Sequence, residues 1–245
     1  MNLVWSIPVG ILLAAALFIV LINRNGPHIG TAWFVSITAA LITWGWTVSL
    51  YWRFNMTAGN IAPILIPGNS FVLDGISYPY MLAISALLVI LLLTAPSYME
   101  PQTAPRIWFF FLLIEAIGYL TVSANDLTII VYGWVIFDAI DLATQYIQQY
   151  PKMIKRSTLT AVGIRFIGTI LAYSSMALSS SSGTGMFVST RGSIWLLLAC
   201  ALRMGILPVS QPYSEMSVSR IGLGTMLRLI SVSPFSTAGI SSRKS

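Results

Sequence analysis

Five ionisable residues stand inside long apolar runs of this chain: Glu115, Asp138, Asp141, Arg165 and Arg203. Carboxylates can take up and release protons, whereas an arginine stays charged and can only hold an anion. A lone charge at the centre of a bilayer costs about 3 kcal/mol even on the gentler insertion scale, so such residues turn inward and pair. The spacing supports an inward row: Asp138, Asp141, Gln145 and Gln148 recur at helical intervals on one stripe. Glu115, Thr121 and Asn125 make a broader polar face on the preceding segment. Acids on two successive segments and arginines on the next two predict acid–base pairs across a bundle interior. Two readings follow. Intramembrane ionisable groups mark proton or ion paths, and buried ion pairs also serve as registry devices between helices. Arg165 additionally fits a basic inner end, because Lys155 and Arg156 precede it.

Other chemistry is thin. Cys200 is the one cysteine, so no internal disulfide, CxxC motif or cysteine-bound metal cluster can form. His28 is the one histidine and sits at a helix end. No Ser-His-Asp set, nucleophile elbow or metal-ligand cluster can be assembled, and no cofactor is implied. Gly183-Thr184-Gly185 lies in a serine-rich stretch with no preceding strand and reads as a linker. Asn55-Met56-Thr57 fits the glycosylation triplet, a pattern common by chance. The three lysines, Lys152, Lys155 and Lys244, lie outside the apolar runs, which excludes a Schiff base inside the bundle.

The elements that must position these residues follow from composition. Of 245 residues 56% are hydrophobic and 8% charged, with mean hydropathy +0.82. A soluble domain carries about 25% charged residues, so lipid is the solvent. Within lipid only helices and closed barrels satisfy the backbone. The apolar stretches are continuous and about twenty residues long, which selects helices over alternating barrel strands. The net charge of +6 comes from residues at helix ends, the ordinary membrane pattern, and not from a nucleic-acid surface.

The expected fold is all-α: a single polytopic transmembrane domain over 1–245 with about seven or eight spans. These run Leu3–Ile22, Ile29–Tyr51, Ile76–Thr94, Ile107–Ala124, Leu127–Gln148, Thr158–Ser179 and Gly192–Val209. A weaker eighth, Ile221–Ile240, is broken by Pro234. The first lacks a charged leader and a clear cleavage site and reads as a retained helix. The loop 149–157, with Lys152, Lys155 and Arg156, is the densest basic connection. Basic loops favour the cytoplasm, which puts Arg24, Arg106 and Arg220 inside and the N-terminus outside. Arg243 and Lys244 disagree if the eighth segment spans.

With these residues in view, the chain resembles the antiporter-like membrane subunits of respiratory complex I and of multisubunit cation/proton antiporters. Leu73-Asp74-Gly75-Ile76-Ser77 is similar to the family's Leu-Asp-Gly-Leu-Ser opening of a span. Asn125-Asp126-Leu127 through Trp134 resembles its short acidic turn leading to a Trp-Glu pair. Arg203, five residues before Pro208, resembles its Lys-Ser-Ala-Gln-x-Pro segment, and Pro212 onward the loop after it. The likeness covers roughly residues 70 to 230, the first antiporter-like repeat. It implies a membrane subunit of a complex-I-like NADH:quinone oxidoreductase or cation/proton antiporter assembly, in a prokaryotic cell membrane or another energy-transducing membrane. Such a subunit holds part of a proton path and no redox site. The candidates are Glu115, Asp138, Asp141, Arg165 and Arg203, and the partners are other membrane subunits, the bilayer, and protons or small cations. Two positions depart from the family: Val135 stands at its glutamate and Arg203 at its lysine. Arginine cannot relay a proton but can act on Asp138 electrostatically. The family pairs two inverted repeats around a central site, and this chain stops near the close of the first, as a half-subunit, split partner or truncated product would. A non-conducting structural subunit and a solute transporter are the rival readings.

Overall fold

The computed structural model of the chain describes residues 6–24, 26, 28–54, 71, 77–94, 96, 104–124, 126–149, 156–180 and 190–204. Within these residues the chain forms seven helices: α1 (Ser6–Asn23), α2 (Ile29–Phe54), α3 (Ser77–Thr94), α4 (Ala104–Ser123), α5 (Leu127–Gln149), α6 (Arg156–Ser180) and α7 (Thr190–Met204). Six are long and apolar enough to cross a membrane, and α7 is shorter. The weak eighth segment, Pro208, Pro212, Lys152, Lys155 and the Ser/Gly linker lie outside the described residues.

Helix boundaries carry local chemistry. Asp126 caps α5: its Oδ1 accepts from the Thr128 amide at 3.0 Å and its carbonyl from the Ile130 amide at 3.2 Å. At the α1–α2 turn the Asn23 side chain donates to the Ile19 carbonyl at 2.9 Å and accepts from the His28 amide at 3.2 Å. Gly26 in that turn has φ of 139°, a backbone region open to glycine. Serines and threonines within the helices mostly bond their own preceding turn: Ser36 to Ala32, Thr43 to Ala39, and Thr47 to Thr43. That satisfies the Ser36 and Thr43 hydroxyl protons without a second helix, while the Thr47 hydroxyl also meets Tyr119 of α4.

The helices pack as an antiparallel bundle with α4 at its centre, touching α1, α2, α3 and α5. Its buried face includes Trp108, Phe111, Leu112, Ala116 and Val122. Trp33 of α2 donates its indole N–H to the Leu92 carbonyl of α3 at 2.8 Å, tying the two helices. α5 continues from α4, α6 packs on α5, and α7 on α6. Gly133 sets the α4–α5 approach, because a Cβ there would overlap the Thr121 hydroxyl. Gly168 does the same for α6 and α7: a Cβ would stand 3.0 Å from Arg203 Cγ and 3.2 Å from the Ala199 carbonyl.

The outer surface is apolar. Leu17, Phe34 and Phe166 are 65%, 64% and 62% exposed, and Leu21, Leu93, Ile194 and Leu197 join them. Surfaces of this extent are covered by lipid, not water. The chain is an integral membrane protein, a bundle of transmembrane helices.

Candidate functional site: an ion network in α5, α6 and α7

Four of the five charged residues meet. Asp138 and Asp141 share one face of α5, three residues apart, and this face turns toward α6 and α7. Arg203, near the end of α7, grips Asp138 as a fork: Nη1 donates to Oδ2 at 2.8 Å and Nη2 to Oδ1 at 3.1 Å. Two parallel bonds of this kind fix geometry as well as charge. Nη1 also donates to the Arg165 carbonyl at 3.2 Å and to Thr169 Oγ1 at 3.0 Å. The guanidinium carbon lies 4.7 Å from the centre of the Trp134 ring, a cation–π contact.

Arg165 of α6 completes the network. Its Nη2 donates to Asp141 Oδ2 at 2.7 Å, and its Nη1 stands 3.3 Å from Asp138 Oδ1. Gln145, one turn after Asp141, donates to the same Oδ2 at 2.7 Å. Thr169, one turn after Arg165, donates to the Arg165 carbonyl at 3.1 Å. Asp138 therefore bridges both arginines, while Asp141 is held by Arg165 and Gln145. Two carboxylates and two guanidiniums leave the cluster formally neutral. Both arginine side chains are 1% exposed and that of Asp141 4%, but Asp138 is 15% exposed. Asp138 is the member of the network nearest the bundle surface, about 16 Å along α5 from its start at 1.5 Å per residue. Trp134 Nε1, Gln145 Oε1 and Arg203 Nε are buried and find no hydrogen-bond partner among the described residues.

Glu115 is separate. It is fully buried in α4, and neither carboxylate oxygen meets a hydrogen-bond donor among the described residues. One turn on, the Tyr119 hydroxyl shares a hydrogen bond with Thr47 of α2. The expected pairing of the span-four acid with an arginine is corrected here. α4 abuts α1, α2, α3 and α5, and the acids of α5 already occupy both arginines. The expected polar face also divides. Thr121 is rotated about 120° from Glu115 at about 100° per residue. It donates to the Ile117 carbonyl at 2.8 Å and abuts Gly133 of α5. Asn125 and the side chain of Gln148 lie outside the described residues.

Sequence reasoning did not single out Thr169 or Gly168. Both have a signal in retrospect: Thr169 is one turn after Arg165, and Gly168 is the small residue beside it. Chemically, the carboxylates can exchange protons and the guanidiniums cannot. No group of three or more His, Cys, Asp or Glu side chains that could hold a metal occurs among the described residues. Comparison of the chain with protein-family models, with curated proteins and with solved structures finds no match.

Proposed function

We propose that this chain is a membrane subunit of a proton-translocating assembly of the complex-I-like or cation/proton-antiporter kind, carrying part of the proton path. The observation behind this reading is the position of Asp138. It is a carboxylate deep in a membrane bundle, shared by two arginines, and the most exposed member of its network. Charge at that depth and at a surface is stable only against water or a polar partner. Asp138 is thus the proton-carrying group, Arg203 and Arg165 hold it, and Asp141 is the acid next to it. Gln145, with a buried Oε1 free of donors among the described residues, extends the row past Asp141, and Glu115 is a second, separate buried acid in α4 that would serve another stretch of the path. The assembly belongs to a prokaryotic cell membrane or another energy-transducing membrane. Its N-terminus lies outside and the 149–157 connection in the cytoplasm. Supporting that orientation, Arg24, Arg106 and Ile147 line one cavity, so the basic ends of α1 and α4 share a face with the end of α5.

The test is proton flux in vesicles bearing the assembled complex. Asp138→Asn keeps the shape and removes the proton-carrying oxygen. Flux falls to background while assembly is retained, and unchanged flux removes the role. A second reading, a non-conducting structural subunit, is favoured by the neutrality of the network. Under it, Asp138→Asn lowers assembly, and exchanging the two residues as Asp138→Arg with Arg203→Asp restores it.

A further inference from the structure

A second feature lies at the basic end of the bundle. The end of α1, the start of α4 and the end of α5 enclose a cavity of about 550 Å³, a size suited to a ligand. Its rim carries Arg24 and Arg106, both exposed. Its wall is apolar, with Val20, Phe109, Phe110 and Ile147. Neither arginine has an ion pair among the described residues; the ion pairs there belong to Arg165 and Arg203. Asn23, also on the rim, is already engaged with Ile19 and His28. The connections from α1 to α2, α3 to α4 and α5 to α6 leave from this end. Their sequences hold Lys152 and Lys155 against Glu100 as the one acid.

We propose that this cavity is a binding site for an anionic phospholipid. The two guanidiniums take the phosphate of the headgroup, which suits their planar donor fork. An acyl chain lies along Phe109, Phe110 and the exposed side of α1, continuous with the lipid-facing surface. Charge complementarity selects this occupant: two cations without an ion pair among the described residues, at the headgroup level above an apolar wall, match a lipid that carries net negative charge. A zwitterionic lipid brings its own ammonium against the arginines and binds less well.

The test uses the full chain in nanodiscs of phosphatidylcholine mixed with phosphatidylglycerol, read by native mass spectrometry for retained lipid. Phosphatidylglycerol is retained in preference to phosphatidylcholine. The preference falls about fivefold for Arg24→Gln or Arg106→Gln alone and about thirtyfold for both. Arg24→Lys with Arg106→Lys keeps most of it. Equal retention of the two lipids by the unaltered chain overturns the proposal, even if the double variant fails to fold. So does undiminished preference in the double variant. Inorganic phosphate raising the melting temperature as much as phosphatidylglycerol vesicles also overturns it, since the site would then take a free anion.

Discussion

Arg203 does four things at once: it forks onto Asp138, donates to the Arg165 carbonyl and to Thr169, and lies over Trp134. Lysine can reach an acid but has no planar fork and stacks less well. Arg203→Lys is expected to keep the fold and lose about 1–3 kcal/mol, since one charged hydrogen bond and a stacking contact disappear. Asp138→Ala is expected to be worse, about 3–5 kcal/mol, because it leaves Arg203 buried without its acid. Thermal unfolding in one detergent ranks the two; an equal melting temperature for both variants contradicts the argument. Glu115 behaves differently, having no ion pair among the described residues to lose.

At the scale of elements, glycines decide how closely neighbours approach. Gly133 admits Thr121 of α4 against the backbone of α5. Gly133→Ala is expected to cost about 1–3 kcal/mol through overpacking. Thr121→Ala removes the hydroxyl that the new methyl meets, so the double variant is expected to recover most of the loss. A double-mutant cycle by thermal unfolding measures that coupling; strictly additive losses would show that the two helices do not pack through this pair. Gly168 serves α6 and α7 in the same way. It matters for the network because the neighbouring atoms belong to Arg203 and Ala199. The α6–α7 approach is thus what lets a side chain on α7 reach an acid on α5.

For the whole molecule, the arrangement places chain segments on two faces. The cavity lined by Arg24, Arg106 and Ile147 defines one face, and Asp126, between the end of α4 and the start of α5, the other. Cys200 is fully buried, so single cysteines can be introduced against a quiet background. Arg24→Cys and Arg106→Cys are expected to react with a membrane-impermeant maleimide from one side, and Asp126→Cys from the opposite side. Labelling of all three from one side would reject the antiparallel crossing.

How much of this was legible before folding differs by feature. Run length and the scarcity of charge alone determined a bundle of membrane helices, and most span limits lie within a few residues of the helices observed. The reason is that lipid leaves the backbone few alternatives, so a local apolar count is nearly sufficient. Helical spacing alone also put Asp138, Asp141 and Gln145 on one stripe. Which acid meets which arginine was decided by tertiary structure. Glu115, Asp138 and Asp141 are equivalent in sequence terms, each an acid within an apolar run. They part because α4 turns the side that carries Glu115 and Tyr119 toward α2 and α3, whereas α5 turns its stripe toward α6 and α7. Helix phase and neighbour order are long-range properties. They depend on small residues such as Gly133 and Gly168, whose meaning appears only when the opposing helix is in place.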